Sequence, residues 1–147
     1  MAKEHKYHHA RVEVDTALPP ERVLRLGRDL VAAQRGLTLE AEGEDIFSVL
    51  VKNPFGGTLL RFTFETETVG ARTFAYSEIQ EYSTSQETLG YLIPVTPKEM
   101  NGYGPYRRFM RTVHEAMGAG DPTARCAVFE REGREVTIRP HPGAAGT

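Results

Sequence analysis

Residues 37–95 break into short bursts in which apolar and polar side chains alternate, with an amphipathic helical stretch before the run and another after it. A period of two buries one face of a strand and wets the other, so such a run needs a partner layer for its apolar face. Leu37, Leu39 and Ala41 alternate with Thr38, Glu40 and Glu42, and Phe47, Val49 and Val51 share the next face. Leu60, Phe62 and Phe64 oppose Arg61, Thr63 and Glu65, the cleanest alternation in the chain. Phase carried forward from Phe74 sets Tyr76 and Glu78 on the inward side, and Leu89, Tyr91 and Ile93 close the series before Pro94. The links are short and rich in Gly, Pro, Asn and Asp. Antiparallel neighbours can be joined that way, whereas parallel ones need long crossovers.

The flanking segments supply the second layer. Ala10, Val12 and Val14 read as a first strand, and Pro19-Pro20 opens a helix whose apolar positions are Val23, Leu24, Gly27, Leu30 and Val31. Proline suits a first helical turn because its missing N–H has no partner there. Gly36 is a natural stop. Gly27 costs about 1 kcal/mol against alanine inside a helix, which close packing on a sheet would offset. Tyr106, Phe109, Met110, Val113 and Met117 recur at helical spacing in a second helix, ended by the glycines and proline of residues 118–122. Residues 126–140 read as a hairpin, and the last residues as a mobile tail.

A chain of 147 residues with 39% hydrophobic and 26% charged side chains is the size and composition of one globular domain. The net charge of -2 gives no general attraction to nucleic acid or to an anionic membrane, so neither is expected as a partner. A single cysteine, Cys126, cannot close an internal disulfide, and no stretch approaches the ~20 apolar residues of a membrane span. A cytoplasmic protein is the expectation. A homodimer is the commonest assembly for such a domain.

The passage Thr16-Ala17-Leu18-Pro19-Pro20-Glu21-Arg22-Val23-Leu24-Arg25-Leu26, the hairpin of residues 59–73 and the helix of residues 103–117 together resemble the helix-grip, or START-like (SRPBCC), superfamily, which includes polyketide cyclases and hydrophobic-ligand carriers. The resemblance covers residues 8–118 and implies an α+β fold: a curved antiparallel β-sheet gripping a long C-terminal α-helix, with an N-terminal helix after strand 1. Residues 1–147 then form one domain, with 119–147 as a C-terminal extension beyond the usual end of that fold. It also implies binding of a small hydrophobic or aromatic molecule between sheet and helix, by a carrier or sensor. A cyclase, dehydratase or hydrolase on the same scaffold is the second reading, and a chaperone-activator-like interaction module the third.

The side chains that would line such a cavity are Phe62, Phe64, Phe74, Tyr76, Glu78, Tyr91, Phe109, Met110 and Val113, because ligand pockets are mostly apolar with a few polar anchors. An inward Glu78 would have a raised pKa and serve as acid, base or anchor. An enzyme would need Tyr76, Glu78, Tyr91 or His114 to converge. Against this stands the ordinary reading, in which Glu78 lies in water and His114 on a helix boundary. His5, His8 and His9 read as a solvated terminus lacking the rigid scaffold a metal needs. Arg107, Arg108 and Arg111 read as a basic helix face. No metal pattern, phosphate loop or cofactor motif is present, and no cofactor is expected.

Overall fold

The computed structural model describes residues 5–85, 88–89, 93–94, 99–131 and 134–136. Strand β1 (Arg11–Thr16) leads into α1 (Pro20–Ala33), followed by β2 (Leu37–Glu42), β3 (Ile46–Lys52), β4 (Thr58–Val69) and β5 (Arg72–Tyr82). Four two-residue strands come next: β6 (Thr84–Ser85), β7 (Thr88–Leu89), β8 (Ile93–Pro94) and β9 (Glu99–Met100). The chain then forms α2 (Tyr103–Gly120), β10 (Arg125–Arg131) and β11 (Arg134–Val136). The main sheet has seven strands in the order β11-β10-β1-β5-β4-β3-β2, and every pairing in it is antiparallel. The class is α+β.

Both helices lie on one face of this sheet. Phe47 pairs directly with Phe64, and Val49 with Phe62, so these rings share a face. A Cβ built on Gly27 of α1 would stand 3.0 Å from Phe47 and 3.2 Å from Phe64. Glycine there is the close approach that offsets its helix cost. Phe109 of α2 reaches the same face, with ring centroids 4.9 Å from Phe62 and 6.0 Å from Phe64. The buried positions of α1 are Val23, Leu24, Gly27 and Val31. Those of α2 are Tyr103, Tyr106, Phe109, Met110, Val113 and Met117. Both stripes follow the helical spacing of the sequence.

Gly102, ahead of α2, has φ +83 and a Cβ position 3.0 Å from Leu60, so neither conformation nor space suits another residue. Asp121 caps the other end. Its carboxylate accepts the hydroxyl of Thr16 at 2.7 Å, the N–H of Ala17 at 2.9 Å, and both the N–H and the hydroxyl of Thr123 at 2.9 and 2.7 Å. The hydrogen bonds from Thr123, Ala17 and Thr16 hold this carboxyl well below the usual carboxylate range. One side chain thereby ties the end of β1 to the end of α2.

Three expectations change. The second helix is 18 residues long and is followed by β10, so it is not a terminal helix held by a completed sheet. The expected hairpin is present as β10 and β11, but β10 also pairs with β1, so this segment is part of the main sheet and not an isolated ribbon. Leu89 and Ile93 do not continue the meander. They pair with each other in a separate ribbon, because β5 already has β4 on one side and β1 on the other. Tyr91 and residues 137–147 lie outside the described residues. No helix among the described residues is long and apolar enough to cross a membrane.

Candidate functional site

Strand β5 positions the site through two departures from regular pairing. Its ladder with β4 runs from Val69↔Arg72 to Leu60↔Tyr82, but Phe62 faces Ile79 while Arg61 faces Glu81, leaving Gln80 as an extra residue. An extra residue bends a strand and sharpens its twist. It also reverses which residues point inward. Tyr82 consequently turns to the helix side, where its hydroxyl accepts the N–H of His5 at 2.9 Å. The second departure is on the other edge. The ladder with β1 starts at Thr16↔Thr73 and stops at Glu13↔Tyr76, six residues before β5 ends.

Beyond that point β1 and β5 fork, and side chains replace the backbone ladder. The Val12 N–H donates to Ser77 Oγ at 3.0 Å, Ser77 Oγ and Tyr106 Oη lie 2.8 Å apart, and Tyr106 donates to the carbonyl of Ala10 at 2.7 Å. A carbonyl only accepts and an N–H only donates, so the Ser77 proton must point at Tyr106. Tyr106 is fully buried, and burial pushes its phenol far above the ordinary range. It is a fastener, with no proton to trade near neutral pH.

The fork opens a concavity of about 510 Å³. His8, His9 and Ala10 form one wall, Ser77, Glu78 and Ile79 another, and Arg11, Glu13, Tyr76 and Phe129 a floor on the sheet face away from the helices. Register explains the floor. Arg11 stands opposite Phe129 of β10, and Glu13 stands between Ala127 and Tyr76. Arg11 forms an ion pair with Glu13, and its guanidinium carbon lies 5.9 Å from the Tyr76 ring centroid. Phe74 continues the aromatic surface 5.7 Å from Tyr76. The Tyr76 phenol is pushed up to about 12, first by its hydrogen bond with Glu65, then by partial burial and by the charges of Glu65, Glu78 and Glu67.

The residues expected to line a cavity therefore divide into two groups. Phe62, Phe64, Phe109, Met110 and Val113 meet between sheet and helices, each at 0% exposure. Phe74, Tyr76 and Glu78 lie on the opposite face, half-buried or exposed. Their inward phase is corrected: the inner positions of β5 are Thr73, Ala75, Ser77 and Ile79. At Ser77 a small side chain is needed because the Tyr106 hydroxyl of α2 comes within 2.8 Å of it. His114 is half-buried on α2, across the sheet from Tyr76 and Glu78, so these three do not converge.

The N-terminal histidines are placed differently from the solvated terminus expected. His5 and Tyr7 pack on Tyr82 and Tyr103, with Tyr7 stacked on Tyr103 at 4.4 Å, and this carries His8 and His9 to the rim of the notch. No group of three or more metal-type ligands occurs among the described residues. On α2, Arg107 is tied to Glu130 of β10 and lies over Tyr103, while Arg108 and Arg111 are exposed along a shallow groove with Glu115. Cys126 is half-buried; burial and the charge of Asp121 push its thiol up to about 11, which leaves it protonated and unreactive at neutral pH.

Sequence reasoning missed His8, His9, Arg11, Glu13 and Phe129 as wall and floor residues. The outward phase of Arg11 and Glu13 was legible beside Val12 and Val14. That Phe129 would lie next to Arg11 was not, because it depends on a pairing between residues more than a hundred positions apart. Comparison of the chain with family models, with curated proteins and with solved structures gave no match.

Proposed function

We propose that this protein binds a small aromatic molecule, as a carrier or sensor, in the notch between β1 and β5. The observation that carries the reading is the concavity of about 510 Å³ at the fork, within the size range of small-molecule sites. Tyr76 and Phe129 offer ring faces there, and His8, His9 and Glu78 supply polar anchors. The scaffold is read as a variant of the helix-grip arrangement in which a strand follows the second helix. In the START-like resemblance the ligand would sit between sheet and helix. The ring-to-ring packing of Phe62, Phe64 and Phe109 favours the outer notch instead. An acid–base enzyme gains less support, since His114 is across the sheet from Tyr76 and Glu78.

A screen of aromatic fragments by two-dimensional NMR tests this. Binders should shift resonances of Ala10, Tyr76, Ser77 and Phe129, and Tyr76→Leu should weaken them at least tenfold while leaving the melting temperature in place. Shifts confined to Phe62, Phe109 and Met110 would return the site to the interior. A screen without binders would remove the carrier reading.

A further inference from the structure

Resting on the notch as a binding site, we propose that it selects aromatic molecules bearing a positively charged amine or guanidine, which take the place of the Arg11 guanidinium above Tyr76, beside Glu13 and Glu78. Tyr76 is directly opposite Glu13 on β1 and directly opposite Glu65 on β4, and Glu78 follows two positions along the same face of β5. Directly opposed residues on one sheet face have Cβ atoms about 5 Å apart, so three carboxylates surround one ring.

Arg11 brings a cation to that ring, and it is already shared with Glu13. The protein's own side chain thus displays the chemistry the site accepts: a flat cation over an electron-rich ring face, flanked by carboxylates. The phenol of Tyr76 is raised by its hydrogen bond with Glu65, by burial and by the charges of Glu65, Glu78 and Glu67, in keeping with this acidic surround. Glu78 is exposed, so a ligand cation can reach it without displacing packed structure. Phe129, opposite Arg11, supplies a second ring for the apolar part of such a molecule.

Three matched probes read the charge. Benzylamine, benzyl alcohol and phenylacetate are titrated into the protein at fixed ionic strength, with the Tyr76 and Phe129 ring resonances as the signal. Benzylamine should bind about tenfold more tightly than benzyl alcohol, and phenylacetate most weakly. Glu78→Gln should bring benzylamine down to the level of the alcohol. Arg11→Ala should tighten benzylamine, because it vacates the ring. Equal affinity for amine and alcohol overturns the charge preference while leaving aromatic binding intact. Tighter binding of phenylacetate that is lost in Arg11→Ala overturns it in favour of an anion site. An absence of ring shifts with all three probes overturns both the charge preference and the notch as a site.

Discussion

The two faces of the sheet are made by the same strands, and β5 shows how differently they are used. On the inner side it presents Thr73, Ala75, Ser77 and Ile79, all buried on the helix side of the sheet. On the outer side it presents Phe74, Tyr76 and Glu78, with no ring of α2 above them. Large side chains are thus inside on β4 and outside on β5. The helix layer shapes this at one point: the Tyr106 hydroxyl comes down on Ser77 of β5, while the rings of Tyr106 and Phe109 pack on the phenylalanines of β4. An aromatic residue left on the open face is then free to meet something other than the core.

The contrast can be broken most forcefully at a paired substitution. Phe62→Ala on the inner face should cost about 3–5 kcal/mol, whereas Tyr76→Leu on the outer face should stay within about 0.5 kcal/mol, both read from urea unfolding. Comparable losses at the two positions would mean that the outer ring is structural. Next in size is the fastener at the fork. Tyr106→Phe leaves the Ala10 carbonyl and Ser77 without their buried partner and should cost about 1–3 kcal/mol. Faster hydrogen exchange at Val12 should accompany it, because the start of β1 would loosen from β5.

The effect with a distinct pH signature belongs to Asp121. Its folded pKa is depressed by the hydrogen bonds from Thr123, Ala17 and Thr16. The stability it contributes is therefore fully present above the unfolded carboxyl value near 3.8 and is lost as the pH falls toward the folded value. Thermal melts of the wild type should decline through this acid window. Asp121→Asn should start from a lower melting temperature at neutral pH and decline less steeply there. An unchanged acid limb would assign the acid sensitivity to other carboxylates.

Much of the frame was readable in advance. The buried stripes of both helices and the inward phase of β3 and β4 followed from periodicity, whereas the need for glycine at position 27 shows only in its closeness to Phe47 and Phe64. The phase of β5 did not, since Phe74 and Tyr76 look like core residues by hydrophobicity alone. The placement of Leu89 and Ile93 also escaped periodicity: three alternating residues indicate a strand without saying which edge remains free.

Local spacing thus determined that strands and two amphipathic helices would form and which helix faces would be buried, because these depend on neighbours within a few residues. The notch depended on contacts that span the chain: β10 against β1, Tyr106 against Ala10, and the N-terminal turn against Tyr82. A one-residue bulge at Gln80 and a ladder that ends at Tyr76 have no periodic trace. Only the packed structure decides where two strands part, because parting is a balance between pairing and the side chains that α2 drives between them.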